Sequence, residues 1–227
     1  MECLRLKEYH KIHTIFKRDQ ETKTKKIILG DWSDPVFEYL ANNKWDWDEK
    51  INGTNTRVMI DNHQCIDGSF YPPALKFGGK TDNAQLPAKL VEHLNNTFLS
   101  QKEKLFEMFP DGACLYGEGY GAGIQKGGGN YSQSQLFILF DVRVGNWWLE
   151  REKVKDISYK LGINTVPIIG QGTLHELLEF VSQGFRSLWG DFDAEGIVAR
   201  PSIGLLNRAS RRIITKLKHK DFEPEKT

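Results

Sequence analysis

Eleven residues, Trp45-Asp46-Trp47-Asp48-Glu49-Lys50-Ile51-Asn52-Gly53-Thr54-Asn55, constrain the fold of this chain more than any other stretch. Read as a strand, its side chains alternate between two faces. Trp45, Trp47 and Ile51 then share one face, and Asp46, Asp48, Lys50 and Asn52 the other. Two indoles and an isoleucine need a core to enter, which leaves Lys50 at the strand's end on a polar surface. Gly53 permits a tight turn into a second strand over 56–61, closing a hairpin. A lysine fixed by a strand beside a glycine turn is a platform for a nucleophile. Taken alone, a Lys-x-x-Gly is far more often a surface lysine on a hairpin, so the other stretches decide.

Around this hairpin the pattern mixes strands and helices without regular alternation. Residues 9–31 read as short strands around a basic loop from Lys17 to Lys26, a solvated tip or, less favoured, a phosphate contact. Residues 65–71 extend the lysine sheet, and Phe77-Gly78-Gly79-Lys80-Thr81 reads as a loop. Leu86, Leu90, Leu94, Phe98, Leu105 and Phe109 recur at helical spacing over 86–108, with a break near Ser100. Strands are expected over 113–118 and 135–144, the first running into a glycine-rich loop over 117–129. A charged helix over 150–161 stops at Gly162. A second helix over 173–183 opens on a capping box of Thr173 and Glu176. The last strands are 194–200 and 212–218. Hairpins dominate, so the expected class is α+β with antiparallel sheets flanked by helices. No internal repeat or linker interrupts the 227 residues, which predicts one domain over 1–227.

Several function classes drop out. A net charge of +1 gives no global basic field, so nucleic-acid affinity must come from local patches. Cys3, Cys65 and Cys114 are odd in number and far apart, which argues against a disulfide framework or a zinc site and fits a reducing, cytoplasmic setting. No apolar run approaches a membrane span, so a membrane role is not expected. Gly79-Lys80-Thr81 ends like a P-loop, but the required first glycine falls on Ala74. The glycine-rich loop offers no Gly-x-Gly-x-x-Gly register, because Ala122 or Ile124 stands where the third glycine belongs. Neither His-Glu-x-x-His nor Gly-x-Ser-x-Gly occurs.

Four stretches combine with Lys50. In Lys216-Leu217-Lys218, alternation puts two ammonium groups on one strand face, where they repel unless an anion sits between or beyond them. From 201 to 220 there is no acid, while Arg208, Arg211, Arg212, Lys216, Lys218 and Lys220 are basic. A solvated basic face is the plain reading and a phosphate site the sharper one. Glu195-Gly196-Ile197-Val198 is an apolar strand led by a carboxylate. Glu118 stands at a strand end, and Phe140 lies just before Asp141. Alone these would be an edge charge, a loop acid and a core ring.

In this order the five stretches resemble the covalent nucleotidyltransferases, and among them the phage RNA ligase 2-like family. Lys50-Ile51-Asn52-Gly53 matches the family's Lys-x-Asp/His-Gly, with Asn52 in place of the usual Asp. Gly117-Glu118-Gly119 matches its Gly-Glu motif, Phe140-Asp141 its aromatic-Asp strand, Glu195-Gly196-Ile197-Val198 its Glu-Gly-hydrophobic motif, and Lys216-Leu217-Lys218 its closing Lys-x-Lys. Thr54-Asn55 is similar to the Ser/Thr-Asn of these ligases, where DNA ligases and capping enzymes carry Arg at the Asn55 position. Lys80-Thr81 resembles their Arg-Thr segment, with charge kept and bidentate geometry lost.

The resemblance implies an adenylation domain of ATP-grasp-like nucleotidyltransferase fold and an ATP-dependent RNA ligase of the kind used in RNA repair. Lys50 would attack the α-phosphate of ATP and form a lysyl–AMP. The AMP would pass to a 5′-phosphate end, and a 3′-hydroxyl would displace it. Attack needs a neutral amine, which the neighbouring cations Lys216 and Lys218 and a hydrated Mg2+ or Mn2+ would favour. Those lysines would also neutralise charge on the α-phosphate. Glu195 would bind the metal or its waters, Glu118 a ribose hydroxyl, Phe140 the adenine face, and Glu49 would lie near the adenine edge. Asn55, Lys80, Arg208, Arg211, Arg212 and Lys220 would hold RNA ends, single-stranded or nicked. The chain ends nine residues after Lys218, so neither an accessory domain nor an OB domain is expected, and the protein would act as a cytoplasmic (or host-cytoplasmic) monomer. An ATP-dependent DNA or mixed-substrate nick ligase is the alternative enzyme. An end-binding protein with a dead nucleotide pocket is the alternative outside catalysis.

Overall fold

A computed structural model describes residues 8–21, 24–61 and 72–223. In chain order the elements are β1 (His13–Thr14), β2 (Phe16–Arg18), β3 (Ile27–Trp32), α1 (Pro35–Tyr39), β4 (Trp45–Glu49), β5 (Thr54–Asp61), β6 (Ala74–Gly78), α2 (Ala88–Phe98), α3 (Lys102–Met108), β7 (Ala113–Tyr120), β8 (Leu136–Val144), β9 (Trp147–Trp148), α4 (Arg151–Leu161), β10 (Ile168–Gly172), α5 (Leu174–Gln183), β11 (Gly196–Pro201) and β12 (Thr215–Lys218). The class is α+β with predominantly antiparallel sheets, as the pattern predicts. The stretch 65–71 lies outside the described residues.

The chain forms two compact units. The lysine unit takes the described residues of Lys11–Ile51 and Val166–Thr227, and the insert unit those of Met1–His10 and Asn52–Thr165. In the lysine unit the sheet order is β1-β12-β11-β4-β10. Its pairs are antiparallel except β1 with β12, which run parallel with His13 opposite Thr215. Trp45, Trp47, Ile197, Ala199 and Leu217 face a core that α5 closes with Leu174, Leu177 and Val181. Trp45 is fully buried and donates its indole N–H to Leu40 O at 2.9 Å. Truncating such a residue costs about 3–5 kcal/mol. The capping box predicted for α5 is present: the Thr173 hydroxyl accepts from Glu176 N–H, and the Glu176 carboxylate accepts from Thr173 N–H.

The insert unit has the sheet order β6-β5-β7-β8-β9, all antiparallel. Its core joins Val58, Ile60, Leu115 and Leu139 to Leu90, Leu94 and Phe98 of α2. The helical stretch breaks at residues Leu99–Gln101, a single 3-10 turn, as the periodicity predicts. Gly162 caps α4 in a left-handed conformation, φ 65°.

Four expectations are corrected. The 45–61 hairpin does not form: β4 pairs β10 and β11, and β5 pairs β6 and β7 in another sheet. Gly53 serves close approach instead, because a Cβ there would meet Gly119 O at 2.2 Å and Glu118 Cγ at 2.7 Å. The segment beginning at Phe77 is the end of β6 and becomes a loop only after Gly78. The glycine-rich loop likewise starts later, since β7 runs through Gly117 to Tyr120. The last strand begins at Thr215 rather than Arg212.

Candidate active site

Lys50 follows β4 directly, and its backbone N–H donates to Gly196 O at 2.9 Å, which locks it beside the start of β11. Its Nζ lies 2.7 Å from Glu195 Oε2, and Lys218 Nζ lies 2.5 Å from Glu195 Oε1. One carboxylate therefore stands between the ammonium groups of Lys50 and Lys218, an internal anion beside the second lysine of the Lys216-Leu217-Lys218 pair. The three side chains keep 15–21% of their surface exposed, so the cluster is sheltered yet reachable. Burial pushes the Glu195 carboxyl up, but the ammoniums of Lys50 and Lys218 outweigh it and hold it below the usual range.

Gly196 makes the three-way contact sterically possible. Its φ is 151°, and a Cβ there would meet Leu217 O at 2.1 Å and Lys218 Cα at 2.7 Å. β11 can thus run hard against β12 while Glu195 turns to both lysines. Alternation along β12 holds as predicted: Thr215 and Leu217 are fully buried, and Lys216 and Lys218 are half-buried on the other face. Lys216 is opposite Val198, and Val198 is opposite Asp48, so Lys216 belongs to the same sheet face as Lys50.

That face is not the open polar surface expected for Asp46, Asp48 and Lys50. Asp48 is 2% exposed, and its Oδ2 receives Arg200 Nη2 at 2.7 Å. Asp46 Oδ1 accepts from Gln171 Nε2 at 2.8 Å and Ser202 Oγ at 2.5 Å. Charges on neighbouring strands pair row by row along the sheet, with Lys50, Glu195 and Lys218 at one end. Glu49 is on the other face of β4. It is 1% exposed, on the apolar side, and its carboxylate accepts from Ser187 Oγ at 2.5 Å and Leu188 N–H at 3.0 Å.

The predicted basic strand divides in two. Lys216 and Lys218 are on β12, and Lys220 follows in the short turn His219–Asp221. Arg208 and Arg211 lie exposed on the 202–214 loop that joins β11 to β12 at the opposite end. The loop is a tight turn in which Asn207 Oδ1 accepts from Ala209 and Arg211 N–H and Ser210 adopts φ 55°. Half-buried Arg212 bridges back to Leu206 on the return limb. β12 alone separates the groups by roughly 10 Å.

In the insert unit, Asn55 and Glu118 face each other across β5 and β7, both half-buried. Asn55 Oδ1 is buried without a hydrogen-bond partner among the described residues. Such a group costs about 1–3 kcal/mol of stability. Phe140 is the extra residue of a bulge, because Tyr116 pairs Asp141 while Gly117 already pairs Leu139. A bulge re-aims the side chain it carries. Here the ring is half-buried and meets Tyr9 edge-on, with centroids 5.0 Å apart. Lys80 is exposed on the loop after β6.

One residue on this side gave no sequence signal. Arg57 is fully buried, donates from Nε to Gly79 O at 2.7 Å and from Nη2 to Asp82 Oδ1 at 2.9 Å, and so brackets Lys80-Thr81. Period-two alternation puts it on the face opposite Val58 and Ile60, so the pattern alone predicts an outward side chain.

Among the described residues, no group of three or more His, Cys, Asp or Glu side chains could cage a metal. A single reachable carboxylate suits an ion of the Mg2+ type, which keeps several waters and is held by one or two carboxylates plus phosphate oxygens.

A model of the RNA ligase family matches residues 43–218 of the 227. Solved structures with a similar fold include a variant of Naegleria gruberi RNA ligase with ATP and Mn, at TM-score 0.62 and 17% identity over 92% of this chain and 61% of that one. The Naegleria gruberi RNA ligase with PPi gives TM-score 0.61 and 18% identity over 91% and 62% of the two chains. Another variant, with AMP and Mn, gives 0.61 and 16% over 83% and 53%. The chain spans less than two thirds of the length of these proteins. The comparison with curated proteins found no match.

Proposed function

The chain belongs to the RNA ligase family, and from that premise we propose that it is an ATP-dependent RNA ligase that joins 3′-hydroxyl and 5′-phosphate ends through a lysyl–AMP on Lys50. The observation that carries this reading is the Glu195 carboxylate held between Lys50 and Lys218. Lys50 Nζ forms the new N–P bond to the α-phosphate, the bond to pyrophosphate breaks, and the amine's proton is released. Glu195 holds the nucleophile in one place before attack, so little orientation remains to be gained in the transition state. Lys216 and Lys218 offset charge on the α-phosphate. The similar Naegleria gruberi RNA ligase structures are with ATP and Mn or with AMP and Mn, which supports ATP as donor and a divalent cation as cofactor. Glu195 would hold Mg2+ or Mn2+, which when bound neutralises phosphate charge.

In the second step the adenylyl group moves to an RNA 5′-phosphate, and in the third a 3′-hydroxyl displaces AMP. Glu118 would accept from the ribose and Phe140 would stack on adenine. Asn55, whose buried oxygen has no partner among the described residues, and exposed Lys80 would take the polynucleotide end. Arg208, Arg211, Arg212 and Lys220 would bind phosphates further along. The reading includes action as a cytoplasmic monomer. The test is incubation with labelled ATP and Mg2+ or Mn2+, denaturation, and then RNA and DNA ends compared at matched salt. Label that survives denaturation and joins RNA ends better than DNA ends supports the reading. Equal sealing of all-DNA nicks moves it to the nick ligases, and absence of label moves it to end binding.

A further inference from the structure

Glu49 is a buried carboxylate next in sequence to the nucleophile, and none of the roles above uses it as the structure holds it. Its side chain points to the face of β4 opposite Lys50, where the 185–194 loop packs. Ser187 Oγ–H donates to Glu49 Oε1 at 2.5 Å, Leu188 N–H donates to Oε2 at 3.0 Å, and Trp189 N–H donates to Ser187 Oγ at 3.1 Å. The loop closes on itself through Ser187 N–H to Phe192 O and Ala194 N–H to Phe185 O, each 2.9 Å. The next residue is Glu195. The carboxylate that grips Lys50 is thus the end of a short closed loop, and that loop is tied down by the residue before Lys50.

We propose that Glu49 is a positioning residue whose carboxylate tethers the 185–194 loop and so keeps Glu195 on Lys50, instead of contacting the base of the nucleotide. Both of its oxygens are occupied by the loop, and 1% exposure leaves no surface for a ligand. The inference rests on the ligase reading for its kinetic consequence and on geometry alone for the tether. Hydrogen bonds to an ionised acceptor are about twice as strong as neutral ones, and a displaced catalytic group costs on the order of 10²-fold per ångström.

Glu49→Gln replaces one acceptor oxygen by a donor that faces another donor. Ser187→Ala removes the hydroxyl. Each slows formation of the lysyl–AMP on the order of tenfold or more, while KM for ATP and the preference for ATP over GTP stay at wild-type values. The double variant is no slower than the worse single one, because both break one tether, and Ser187→Thr restores the rate. In the folded Glu49→Gln protein the amides of Leu188 and Trp189 exchange hydrogen faster than in the wild type. A changed ATP-over-GTP preference in Glu49→Gln, a wild-type rate in Ser187→Ala, or unchanged exchange at 188–189 overturns the proposal. If Glu49→Gln does not fold, Ser187→Ala decides both the rate and the exchange. If the wild type takes no label from ATP, the ligase reading fails, and the exchange measurement alone decides the tether.

Discussion

The two units handle charge in different ways. In the lysine unit the ionised groups of β4, β11 and β12 pair across neighbouring strands: Lys50 and Lys218 on Glu195, Arg200 on Asp48. In the insert unit the residues assigned to the polynucleotide are an asparagine whose oxygen has no partner among the described residues and a lysine exposed on a loop. Strand register fixes the first set in advance, whereas the second set is left to be completed by whatever binds. A step that forms a covalent bond at one atom needs the first arrangement. Holding a chain of variable sequence needs only the second, and phosphate contacts position without reading sequence.

The contrast yields separable outcomes. Short of removing the nucleophile itself, the largest effect is expected at Lys218→Ala, which removes one of the two charges on Glu195 and the proposed neutraliser of the α-phosphate. Lysyl–AMP formation should fall by about 10²–10³-fold, as read from label retained after denaturation. A near-normal rate would mean that the pairing in the lysine unit is not what prepares the nucleophile. Next is Asp48→Asn, which leaves Arg200 without its carboxylate in a sheltered row. Breaking such a pair costs about 3 kcal/mol, measured by denaturant unfolding, and a loss near zero would show that the row is solvated in solution.

A smaller and more selective effect belongs to the insert unit. Lys80→Ala removes one charge-assisted contact, so joining should slow by about tenfold while lysyl–AMP formation is unchanged. Rising salt should reproduce that split, suppressing joining well before adenylylation, since exposed phosphate contacts release counterions and the paired charges of the lysine unit are screened less. Parallel loss of both steps would erase the distinction between paired and exposed charges.

The smallest effect is in acid. The two lysines hold the folded Glu195 carboxyl below its usual range despite burial. Its contribution to stability is therefore full above the ordinary carboxylate range and is lost as pH falls through that range to the folded value. Thermal unfolding from neutral pH downward should show a steeper acid decline in the wild type than in Glu195→Gln, and identical slopes would remove the ion triad from the account of stability.

Much of this was legible because some signals are local. The Thr173–Glu176 capping box, the Gly162 stop and the alternation of Lys216-Leu217-Lys218 depend on neighbours within four residues, and the structure has each as predicted. The 45–61 hairpin failed because a glycine needed for close approach to another strand looks the same in sequence as a glycine needed for a turn. Gly53 meets Gly119, far along the chain. The burial of Glu49 and Arg57 was not legible because a charged residue is buried only when distant partners meet it, here Ser187 and Leu188 for one and Gly79 and Asp82 for the other. The basic stretch was read as one surface because composition carries no direction, whereas the 202–214 loop puts Arg208 and Arg211 at the end of β12 away from Lys218.

The central claim is that Lys50 is the atom-level site of covalent chemistry. The direct measurement is to incubate the protein with ATP and Mn2+, digest it, and locate the adenylyl group by peptide mass. The account predicts one modified peptide, carrying AMP on Lys50, and none in Lys50→Ala. Modification of another lysine, or label undiminished in Lys50→Ala, would contradict it.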